Sequence, residues 1–286
     1  MSEFGHFIDL VLVKATPLIF AALGGVVCER AGILNIALEG QLTVGAFTGV
    51  AVSYGTGNPI LGLVAGVVAG ALVGLLLGVA ATRFGVDQIV AGTGINLLAL
   101  GGAAFGLTVV FGQPGASSEV RALGLRGEDV LIACAFLGAV LLHLALYRTP
   151  WGLRTRASGE NPRAVRSAGV DPRNVRLMAT LLGGALAGLG GVYLSLGELD
   201  LYSDNMTSGR GFIALAAVIF GRWTPLGATG AALGFGALAA LQFVLQRTGI
   251  PSELMQALPY LAALAALTGI AGRARAPQAD GVPYVE

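Results

Sequence analysis

The chain has 286 residues and a formal charge of +1, with 55% hydrophobic residues, 12% charged residues and 45 glycines. So few charges exclude a water-soluble domain of ordinary composition, and so many glycines suit helices packed backbone to backbone in lipid. The charge balance gives no sign of nucleic acid, and no basic patch is interleaved with aromatic residues.

A spanning helix requires about 20 mainly apolar residues. In chain order, residues 8–27, 33–54, 60–82, 89–111 and 130–147 predict five spans. Pro17 interrupts the first, a turn signal at 55–59 closes the second, and a short loop with Arg83 and Asp87 follows the third. The first run carries Lys14 and ends on Glu29 and Arg30 instead of a small-residue cleavage site, so it is expected to stay in the mature protein. Glycine, serine and mixed charge at 115–128 predict an outer loop. Beyond a polar island at 151–176, residues 177–196 predict a sixth span and 197–210 a second outer loop bearing Glu198, Asp200 and Asp204. Residues 211–220 are too short to cross and predict a half-span or re-entrant segment surrounded by protein. Residues 226–245 and 254–271 complete the count, separated by an outer turn at 247–253. The expected fold is all-α: one polytopic membrane domain over 1–286, with about eight spans plus a half-span.

Seven of the seventeen Lys and Arg residues lie between Arg148 and Arg176. The bias against translocating cations puts this loop on the cytoplasmic side. Arg273 and Arg275 put the C-terminus there too, and parity then leaves the N-terminus outside. Within the island, Asn161 before Pro162 and Asp171 before Pro172 each open a helix, since a capping oxygen satisfies an orphan N–H and proline has none to lose. With Gly169 as its end, the first of these helices covers little more than residues 163–168. So short a helix does not persist alone, and it is expected to dock on something.

Three polar features interrupt the apolar runs. Asn35 and Glu39 stand at i and i+4, on one helical face if the helix is unbroken. A carboxylate in mid-bilayer costs roughly 3 kcal/mol on insertion scales, so the pair either lines a path or Glu39 caps a broken helix or meets an arginine. Gln88, Thr93 and Asn96 form the second group and serve either interhelical hydrogen bonding or a path. Gln242 and Gln246 near an outer end fit ordinary interfacial polarity. Cys28 and Cys134 lack metal-ligand spacing and are expected to be small buried hydrophobes. His6 and His143 stand alone, Ser195 lacks a nucleophile elbow, and there is no phosphate-binding loop. Neither catalysis, a metal site nor nucleotide hydrolysis is expected of this chain.

Three stretches, GLRTRASGENPRAVRSAGV, ERAGILNIALEGQL and GRGFIALAAVIFGRWTPLGA, occur in family order. With them the chain resembles the permeases of bacterial ABC importers that include the ribose-type and branched-chain amino acid permeases. It is most similar to the nucleoside branch, whose binding lipoproteins are of the basic membrane protein family, and to the shorter of two paired permeases there.

The resemblance implies a type II importer subunit in the bacterial inner membrane. Gly159, Glu160, Asn161, Pro162, Arg163, Ala164 and Arg166 would then couple to a separate ATPase subunit, which holds the ATP and magnesium. A paralogous permease or second copy and a substrate-binding lipoprotein are the other implied partners. Asn35, Glu39, Gln88 and Asn96 become candidates for the translocation path. Related sugar or branched-chain amino acid permeases share these motifs. An ion-coupled carrier, in contrast, would leave the short cytoplasmic helix idle.

Overall fold

A computed structural model describes residues 3–121, 123–245, 261 and 275–284. Ten α-helices are present among them: α1 (Glu3–Arg30), α2 (Leu38–Thr56), α3 (Pro59–Arg83), α4 (Gln88–Phe111), α5 (Gly124–Arg148), α6 (Pro150–Glu160), α7 (Pro162–Ser167), α8 (Pro172–Val192), α9 (Arg210–Phe220) and α10 (Pro225–Leu245). A π-helical segment, Tyr193–Glu198, prolongs α8.

Cap chemistry explains four of the helix starts. Asn58, Thr149, Asn161 and Asp171 each accept a backbone N–H of the helix they open, and each precedes a proline in the first turn. The pairs at 161 and 171 match expectation. Thr149–Pro150 opens α6, an 11-residue helix that takes up the first part of the polar island.

α8 occupies the centre, against α1, α2 and α3; α9, α10 and α5 pack on α1, and α4 closes on α2 and α3. Lipid supplies no hydrophobic drive between helices, so close approach and dispersion must hold them. Gly66, Gly70, Gly74 and Gly78 recur every fourth residue on the buried side of α3, facing Thr180, Gly184 and Gly188 of α8. A Cβ added at Gly70 would sit 2.5 Å from the Gly184 carbonyl oxygen, so no side chain fits. Val64, Val68 and Leu72 on α3, with Phe105 and Val109 on α4, lie exposed on outward faces, as lipid contact requires. Gly70→Leu should therefore push α3 from α8 and cost about 1–3 kcal/mol of overpacking. A fall in the melting midpoint of the detergent-solubilised chain checks this; an unchanged midpoint would show that the crossing is loose.

The span count differs from expectation. Six helices among the described residues are long and apolar enough to cross a membrane, and α9 is the short one, 11 residues or about 16 Å at 1.5 Å per residue. Residues 33–54 are not one span: 31–37 are non-helical and α2 starts only at Leu38. The span expected at 254–271, the turn at 247–253 and Gln246 lie outside the described residues. The outer loop expected at 115–128 is shorter, because α5 begins at Gly124. Its backbone runs antiparallel to residues 196–202, with N–H donors of Ser117, Val120 and Leu123 on the carbonyls of Tyr202, Asp200 and Leu196. Cys28 is buried as expected, but Cys134 is exposed on α5, where lipid accepts a small apolar side chain as readily as a core does.

Candidate functional site

Two helices begin inside the bundle without a cap of their own. α2 follows Ala37 and α9 follows Gly209, and neither residue offers a side-chain acceptor. Each helix start leaves backbone N–H groups unpaired, which hydrocarbon cannot satisfy. Side chains from neighbouring helices supply the missing acceptors. Asn96 on α4 accepts from Gly40 N–H at 2.8 Å. Glu39, in the first turn of α2, accepts from Gly209 N–H at 2.8 Å through Oε1 and from Gly211 N–H at 2.7 Å through Oε2. A carboxylate at a helix N-terminus also meets the positive end of the helix dipole. Of the uses open for Glu39, capping a broken helix is one that the geometry shows. Gly211 packs so tightly on Glu39 that a Cβ there would come 2.3 Å from the Glu39 nitrogen.

The break at 31–37 is held by amides. Gln88 accepts from Leu34 N–H at 2.7 Å, and Asn96 donates to the Ile36 carbonyl at 2.9 Å. Asn35 and Gln41 exchange amide hydrogen bonds at 3.1 and 3.2 Å. Asn35 therefore precedes the helix that Glu39 belongs to, and the shared face expected from their i, i+4 spacing does not exist. Asn35 and Gln88 are buried and serve the break. Glu39 and Asn96 also line a cavity of about 260 Å³ between α2, α4 and α9, together with Thr43, Thr93, Thr207 and Phe212. Thr93 from the expected path group is thus at the cavity, and Thr207 and Phe212 are additions that apolar periodicity alone did not mark.

At the other end of the break, Ala31 is tied to the loop that carries α7. Its carbonyl accepts from Ser158 Oγ at 3.1 Å and from Arg176 Nε at 3.2 Å. Gly159 is buried against the end of α1, where a Cβ would lie 2.4 Å from the Arg30 carbonyl oxygen. Gly159 is consequently unable to seat in a partner's groove as expected of it; it lets α6 touch α1. Asn161 caps α7 by accepting from Ala164 N–H at 3.1 Å. Val165 turns inward, whereas Glu160, Arg163, Ala164 and Arg166 face outward and Pro162 is half-buried.

The C-terminal residues complete this end. Arg176, 1% exposed, also donates to the carbonyls of Val282 at 3.1 Å and Ala279 at 3.3 Å. Ala279 N–H donates to the Gly159 carbonyl at 2.8 Å, and Arg173 lies 6.0 Å from the Tyr284 ring centroid. A buried guanidinium needs compensating acceptors, and three backbone carbonyls provide them. Burial pushes the Asp280 carboxyl beside it up to about 7, against the pull of Arg176 and a backbone hydrogen bond. The half-helix returns to the same level: Arg30 Nε donates to the Trp223 carbonyl at 2.7 Å, and Trp223 Nε1 donates to Glu29. Arg222 and Trp223 take the left-handed conformation there, with φ of +54° for both. No group of three or more metal-ligating side chains occurs among the described residues.

Residues 7–271 match the family described as "Branched-chain amino acid transport system / permease component". The chain is 39% identical to the guanosine ABC transporter permease NupQ of Bacillus subtilis, over 98% of this chain and 96% of that protein. It is 36% identical to the nucleoside ABC transporter permease NupC of Lactococcus lactis, over 96% of this chain and 95% of that one. The glucose ABC transporter permease TsgB13 of Haloferax volcanii is 30% identical over 93% and 77%. No solved structure matches the chain.

Proposed function

The chain belongs to this permease family, and from that premise we propose that it is the membrane-spanning subunit of an ATP-driven nucleoside importer. It is a non-catalytic, multi-pass translocation component. Its α7, with Glu160, Pro162, Arg163, Ala164 and Arg166, couples to an ATPase subunit on the cytoplasmic side, where the C-terminus also lies, and that subunit binds the ATP and magnesium. A second permease, paralogous or identical, and a substrate-binding lipoprotein complete the importer.

The observation that carries the coupling assignment is the double hydrogen bond on Ala31. Ser158 and Arg176 flank α7 in sequence, and both hold the first carbonyl of the break. Movement of the α7 loop therefore pulls on residues 31–37, and through Asn96 and Glu39 on the starts of α2 and α9, which border the cavity. The greater identity to NupQ and NupC, named for guanosine and for nucleosides, than to the glucose permease TsgB13 favours a nucleoside as cargo. A strain lacking this chain should lose energy-dependent uptake of labelled guanosine and keep that of glucose. The opposite pattern would assign a sugar permease.

A further inference from the structure

The cavity beside Glu39 is lined by two chemically different kinds of group. One kind offers hydrogen-bond acceptors. The Glu39 carboxylate has about four acceptor directions and spends one on each of Gly209 and Gly211. Thr93 Oγ1 donates its proton to the Ile89 carbonyl at 2.8 Å, which leaves it an acceptor toward a ligand. The hydroxyls of Thr43 and Thr207 are paired with each other at 3.1 Å. The other kind is apolar: the ring of Phe212, 49% exposed in the first turn of α9, with Leu97 and Leu100 also in the lining. The lining includes neither lysine nor arginine.

We propose that this cavity is a resting site for the cargo within this chain, with the base stacked on Phe212 and the sugar hydroxyls donating to Glu39 and Thr93. The inference rests on the nucleoside reading and adds to it a selection that the permease itself exerts. An uncharged nucleoside presents donors to the acceptors and a flat face to the ring. A nucleotide brings a phosphate next to a carboxylate that no lining cation offsets, and like charges in a site of reduced dielectric repel. The permease therefore discriminates between phosphorylated and free nucleosides independently of any binding protein.

The test uses the complete importer, co-purified from the native membrane and reconstituted into vesicles, with ATP-driven uptake of labelled guanosine as readout and guanosine monophosphate as competitor. Assembly of each variant is judged by its co-purifying subunits. Phe212→Leu keeps apolar volume and removes the ring; its apparent KM should rise about tenfold, in line with the loss of one aromatic–base stack, whereas Phe212→Tyr should stay within about twofold of the parent. Thr93→Arg places a cation among the acceptors and should make guanosine monophosphate an inhibitor, which it is not of the parent. Equal KM values in Phe212→Leu and the parent, or inhibition of the parent by the nucleotide, would overturn the site while leaving the nucleoside importer standing. Absence of guanosine uptake by the parent would overturn both.

Discussion

Glu39→Leu should abolish ATP-driven transport while the chain still inserts into the membrane. Leucine fits the local apolar setting and removes an ionised group from it, so insertion gains. What is lost is the side chain that, among the described residues, meets the Gly209 and Gly211 N–H groups at the start of α9. Each buried donor left without a partner costs about 1–3 kcal/mol, and the two are adjacent, so the half-helix is no longer fixed against α2. Glu39→Gln should fall between: its carbonyl oxygen still accepts one N–H, but its amide nitrogen faces the other donor. Uptake into vesicles, compared with the amount of chain in the membrane, measures this. Parental uptake by Glu39→Leu would mean that α9 holds its place without the carboxylate, and the proposed transmission through it would fail.

The second large effect is expected on the opposite side of the loop. Glu160→Ala combined with Arg163→Ala should leave the fold intact, because both residues are exposed and Glu160 accepts just a long 3.4 Å hydrogen bond from Gln278 N–H among the described residues. Substitutions at such positions usually change stability by less than about 0.5 kcal/mol. Transport, however, should drop at least about tenfold, since tenfold corresponds to only 1.4 kcal/mol of lost docking energy. Val165 provides the contrast: it is buried under α7, so replacing it with aspartate should destabilise the loop itself. If the double alanine variant retains both uptake and the ATPase subunit on purification, α7 is not the coupling element.

How much of this could be read from residue order depends on how far each interaction reaches along the chain. The starts of α7 and α8 were legible because the capping side chain and the proline are neighbours of the N–H groups they serve. The same signal at Thr149–Pro150 went unread, since the apolar run before it and the charges after it drew the boundary elsewhere. Residues 33–54 read as one helix because hydropathy reports only apolarity, and ILNIAL is apolar whether helical or not. The break depends on Gln88 and Asn96, more than fifty residues further on. That the helix at 211–220 is too short to cross was legible from its length alone. Its cap was not, as Glu39 lies 170 residues before Gly209. Nothing in residue order marks Ser158 as a partner of Ala31, and Arg176 reads as one more charge of the polar island. Its partners are carbonyls, which no residue letter marks.

The tether between Arg176 and residues 279–282 joins the start of α8 to a segment far along the chain. Two of the three carbonyls that hold this guanidinium belong to residues 103 and 106 positions later. Removing residues 279–282 would leave it one carbonyl, that of Ala31, and a buried cation short of acceptors is costly. The seat of α8 beside α7 therefore draws part of its stability from a segment more than a hundred residues away.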